Sequence, residues 1–141
     1  MKKQRINAND LLPLIEETIH QGGSFELTVK GSSMRPFFTH NKTKVVLKKV
    51  STLTPFNVYL FKHNDHVVLH RLIKIKDDHY YFKGDALKKT EMVKKQNIVA
   101  QVTDIKHETK TINIHSRHYR FRVKLWYHLR LFRRLLIKLL K

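Results

Sequence analysis

Three short stretches hold the residue types of a serine hydrolase: Gly31-Ser32-Ser33-Met34-Arg35-Pro36, His70-Arg71 and Gly84-Asp85. A serine hydroxyl attacks a carbonyl only when a base takes its proton. Ser33 is the candidate nucleophile. It lies between a glycine that permits unusual backbone angles and a proline that fixes the turn behind it. Such a loop presents Oγ outward and leaves the backbone N–H groups of Ser32 and Ser33 to receive an oxyanion. His70 is the candidate base, because imidazole accepts and returns protons near neutral pH. Asp85 is the candidate orienting carboxylate, which would accept the imidazole Nδ1 hydrogen and fix the tautomer. Each stretch alone reads as an ordinary turn or strand; the chemistry lies in the combination.

In order along the chain, Gly31-Ser32-Ser33-Met34-Arg35-Pro36, Val68-Leu69-His70-Arg71-Leu72-Ile73 and Lys83-Gly84-Asp85-Ala86 resemble the three signature boxes of the S24/S26 serine peptidases. That group includes the signal peptidases and the LexA-like self-cleaving repressors. The resemblance spans residues 24–106. It implies Ser33 as nucleophile, His70 as general base and Asp85 as the carboxylate that assists it. Bacterial signal peptidases and LexA-like proteins carry lysine at the base position. Histidine there is similar to the endoplasmic-reticulum and spore-former signal peptidases. Lys74 is no substitute, since four residues along a strand is about 13 Å. Many signal peptidases place a serine two positions before the nucleophile. Gly31 stands there, so an oxyanion hole would use backbone N–H groups. Expected Gly-Asp turns are replaced by His40-Asn41-Lys42-Thr43 and Pro55-Phe56-Asn57. A second acidic residue after the Gly-Asp box has Glu91 as its nearest candidate.

These residues need a scaffold. Residues 9–21 read as a short amphipathic helix with Asn9 as N-cap, Pro13 in the first turn and Leu11, Ile15 and Ile19 on one face; Gly22-Gly23 ends it. Strands are expected at 25–29, 44–50, 56–61, 67–75, 80–83, 98–105 and 111–114, with turns at Asn64-Asp65 and Asp77-Asp78. The fold class is therefore mainly β. The expectation is a LexA/signal-peptidase-like antiparallel β body with a short N-terminal helix and a basic amphipathic C-terminal helix. The chain divides into three segments: 1–23, a β domain over 24–115, and 116–141.

The chain has 141 residues, no cysteine and a formal net charge of +18. Disulfides, thiolate metal sites and a cysteine nucleophile are excluded. Half the net charge comes from nine Lys/Arg between Arg117 and Lys141, a segment without an acid. Leu125, Leu129, Phe132, Leu136 and Leu139 share one helical face there; Arg130, Arg134, Lys138 and Lys141 share another. Trp126 and Tyr127 suit a water–lipid boundary. An anionic membrane surface is the leading partner for Arg117–Lys141, with packing on the body, an oligomer contact or nucleic acid as alternatives. No export signal or spanning segment is read, so the expected location is cytoplasmic and peripheral to the inner face of the membrane. His63-Asn64-Asp65-His66 and His115-Ser116-Arg117-His118 have H-x-x-H spacing but no convincing third ligand, so no metal or other cofactor is assigned.

The expected function is a serine endopeptidase that cleaves a peptide or leader segment near the membrane. The alternative is a non-catalytic peptidase-like binding module that works through its basic tail on membrane or nucleic acid.

Overall fold

The computed structural model describes residues 8–139, with side chains as far as Leu129. Helix α1 spans Ala8–His20. Eight strands follow: β1 Phe25–Thr28, β2 Lys44–Lys48, β3 Val58–His63, β4 His66–Lys76, β5 His79–Lys83, β6 Thr90–Lys94, β7 Ile98–His107 and β8 Lys110–Asn113. Helix α2 spans Arg117–Leu139. The strands pair antiparallel in the order β1-β2-β7-β3-β4-β5-β6, and β8 adds to β7. The mainly β fold with a helix at each end is as the sequence predicts.

Local chemistry sets the hairpins. Asn64 and Asp65 both adopt positive φ (49° and 63°), as do Asp77 and Asp78 (52° and 61°). These are two-residue turns whose backbone twist suits the flanking strands, and short polar side chains tolerate the left-handed region. They hold β3 to β4 and β4 to β5.

The central strand shows how the core is split. Val58, Tyr59, Leu60 and Phe61 are all buried. Successive strand residues face opposite sides of a sheet. Accordingly, Val58 and Leu60 join one cluster with Ile15, Ile19, Met34, Phe37, Phe38, Tyr119 and Val123. Tyr59 and Phe61 join another with Leu72, Phe82 and Val93. The first face is covered by both helices and by the loop that carries Ser33. Burying each of these large apolar side chains contributes about 1.5–3 kcal/mol.

Two local expectations are corrected. Asn9 lies inside α1, and its Oδ1 accepts from the Val67 N–H at 2.8 Å, so its side chain ties the helix to β4. Trp126 and Tyr127 lie half-buried on the body. The expected row Phe132, Leu136 and Leu139 and the basic row Arg130, Arg134, Lys138 and Lys141 lie outside the described side chains.

Candidate active site

The Ser33 loop is anchored by the residues immediately after the serine. Met34, Phe37 and Phe38 sink into the first core cluster, while Ser33 stays half-exposed beside them. The Met34 carbonyl accepts from the Phe37 and Phe38 N–H groups at 3.1 and 3.0 Å. Gly31 takes φ +84°, a left-handed angle that suits glycine, and its N–H donates to His40 Nδ1 at 2.7 Å. Three buried apolar side chains on one side of the loop therefore fix where the serine on the other side points.

The strand arrangement decides what meets it. Arg71 pairs with Lys83, and Leu72 with Phe82. Phe82 in turn pairs with Glu91 on β6. Leu72, Phe82 and Glu91 therefore share a sheet face. His70, two residues before Leu72, shares it too, whereas Arg71 points the other way. His70 Nδ1 contacts Glu91 Oε1, and His70 Nε2 lies 3.2 Å from Ser33 Oγ. His70 is 7% exposed, and its ring packs edge-on against Phe61. A carboxylate at Nδ1 places the proton there and leaves the Nε2 lone pair for the serine hydroxyl.

Asp85 does not take the expected place beside His70. It is fully buried on the opposite face, where its two oxygens accept from Arg71 Nε and Nη2, each at 2.8 Å. Tyr127 Oη donates to Asp85 Oδ1 at 2.7 Å, and Trp126 Nε1 donates to the Asp85 carbonyl at 2.9 Å. Arg71 Nη1 reaches the Phe56 carbonyl at 2.7 Å, and Nη2 donates to Tyr119 Oη at 3.1 Å. The guanidinium also lies 5.2 Å from the centroid of the Phe37 ring. Burial disfavours the Arg71 charge, but the Tyr119 oxygen and Asp85 carboxylate outweigh it and hold the group charged. Burial likewise raises the Tyr119 hydroxyl, against the opposing pull of Arg71, and keeps it a phenol.

The Gly-Asp box still reaches the serine, through the backbone. The Ala86 N–H donates to the Ser33 carbonyl at 2.9 Å. A Cβ on Gly84 would lie 2.7 Å from that carbonyl oxygen and 2.9 Å from Leu87 Cδ1. The half-exposed Leu87 side chain can yield; the Ser33 backbone cannot without moving the Ser33 hydroxyl. Gly84→Ala is therefore expected to slow Ser33 acylation by on the order of 10²-fold, the scale of a misplacement near 1 Å. The rate of labelling by a serine-reactive phosphonate, against a thermal melt of the same protein, checks this.

Among the described residues, the Ser32 and Ser33 N–H groups donate to no protein acceptor. Lys74 lies over the Tyr81 ring, 4.8 Å from its centroid, and takes no part in the Ser33–His70 contact. The described residues hold no group of three or more His, Cys, Asp or Glu suited to a metal.

A serine, an imidazole and a carboxylate in contact, mounted on a mainly antiparallel sheet, define a serine-peptidase-like domain. A family model described as Peptidase S24-like matches residues 2–103, and the chain belongs to that family. Comparison with curated proteins gives no significant match.

Proposed function

We propose that the protein is a serine endopeptidase in which Ser33, His70 and Glu91 act as nucleophile, general base and orienting carboxylate. The observation that carries this reading is the 3.2 Å approach of His70 Nε2 to Ser33 Oγ, with Glu91 on the other ring nitrogen. His70 takes the hydroxyl proton as Ser33 Oγ attacks a peptide carbonyl, then delivers it to the leaving amine as the C–N bond breaks. Water repeats the sequence in reverse and frees the acyl group. Glu91 stabilises the transient imidazolium. The N–H groups of Ser32 and Ser33 are proposed to receive the oxyanion.

A diverse peptide mixture incubated with the full chain and read by mass spectrometry tests the activity. New termini that appear with the wild type and not with Ser33→Ala support it. Identical digests with and without wild-type protein refute it.

The role of Glu91 has its own test. Glu91→Gln keeps the shape but no longer balances imidazolium charge. It is expected to lower kcat by about 10²–10⁴-fold on any peptide so found. The melting temperature should hold nearly steady, because the glutamine amide oxygen can still accept from His70 Nδ1. An unchanged kcat would remove Glu91 from the mechanism.

A further inference from the structure

Helix α2 has two apolar sides over its described length. Tyr119 and Val123 are 7% and 1% exposed, and with Trp126 and Tyr127 they pack on the body. Phe121, Leu125 and Leu129 recur every four residues and lie 64%, 43% and 40% exposed. In an α-helix such residues stack on one face. They are flanked by exposed Arg117, Arg120, Arg122 and Lys124, and no acidic residue follows Glu108. None of the described helices is long and apolar enough to cross a membrane.

An exposed row of large apolar side chains between cations matches one chemistry well. Lipid headgroups supply the negative charge, and the acyl boundary accepts the apolar row. Nucleic acid would satisfy the cations and leave Phe121 and the leucines in water. We propose that the outward face of α2 seats on an anionic lipid bilayer while its inward face stays bonded to the body. The helix thus joins membrane and catalytic domain, because Trp126 and Tyr127 hold Asp85 from its other side. The attachment is reversible and salt-sensitive. Binding itself does not depend on the catalytic reading: Ser33→Ala should bind vesicles as the wild type does.

The single tryptophan makes the geometry testable. The full chain is floated with phosphatidylcholine vesicles containing about a third phosphatidylglycerol, and with pure phosphatidylcholine. Binding to the anionic vesicles at low salt is expected, weakening as salt screens the cations. Phe121→Ser combined with Leu125→Ser should lower partition at least about tenfold without lowering the melting temperature, since both side chains face outward. In anionic vesicles brominated along the acyl chains, Trp126 emission should stay unquenched, because the inward face is turned away from lipid. No binding at low salt, or binding unchanged by the double substitution, overturns the proposal. Strong quenching of Trp126 overturns the two-sided arrangement by showing that the helix peels off the body. A dimer that the double substitution dissociates, with no vesicle binding, assigns the face to a second copy instead.

Discussion

Asp85→Ala is expected to cost the protein about 3–5 kcal/mol of stability, the scale for stripping one partner from a buried ion pair. Both side chains of the Arg71–Asp85 pair are fully buried. Without the carboxylate, the guanidinium keeps its charge in an apolar setting, with Phe37 and Tyr119 around it and Nε unpaired. Tyr127 loses its acceptor at the same time. A single domain has about 5–15 kcal/mol in total, so the loss takes a large share. In a chain of this length the melting temperature should drop by roughly 10–20 °C. Chemical denaturation and a thermal melt measure it. Arg71→Met together with Asp85→Asn should cost less than Asp85→Ala alone, because no buried charge is left over. If Asp85→Ala melts with the wild type and loses only activity, Asp85 belongs to the catalytic machinery and not to the structural core.

Ser33→Ala is expected to behave in the opposite way, with the fold intact and turnover reduced by about 10⁵–10⁶-fold. Removal of Oγ leaves an exposed turn whose anchors, Met34, Phe37 and Phe38, are untouched. His70→Ala should cost a similar factor. The double variant should be no worse than either single, because a nucleophile without its base and a base without its nucleophile fail at the same step. Additive losses would mean that the two residues act independently.

These opposed expectations follow from the alternation of side chains along β4. His70 and Arg71 are neighbours in sequence but face opposite sides of the sheet. Each collects one carboxylate: Glu91 for the imidazole, Asp85 for the guanidinium. The Gly-Asp box could be read in the sequence, but the partner of its aspartate could not. Two signals were missing. The first was β6, which the residue pattern did not reveal: Thr90-Glu91-Met92-Val93-Lys94 buries only Val93 and is bracketed by lysines. Without that strand, the parity that brings Glu91 to His70 cannot be counted. Glu91 was visible as a second acidic residue after the box, but its position on the histidine face was not. The second was Arg71, whose buried charge needs a buried partner of opposite sign; nothing in the sequence marks it as buried.

Elements set by strong local chemistry were legible. The hairpin turns Asn64-Asp65 and Asp77-Asp78, the amphipathic α1 with Ile15 and Ile19 inward, and the alternating β1 all stem from residue type and period. The C-terminal helix was legible as a helix. Its Trp126 and Tyr127 were not, because an amphipathic aromatic ring suits a lipid boundary and a protein core with a buried acceptor equally well. Only tertiary structure brings the Asp85 carbonyl and carboxylate to them. An apolar row on each side of one helix also blurs the periodicity that would separate them.

The most direct test of the peptidase account is the intact mass of the folded protein after exposure to a serine-reactive phosphonate. One adduct, mapped to Ser33 and absent from His70→Ala, is the expected result. A folded wild-type protein that stays unlabelled, or a His70→Ala variant that labels at the wild-type rate, would contradict it.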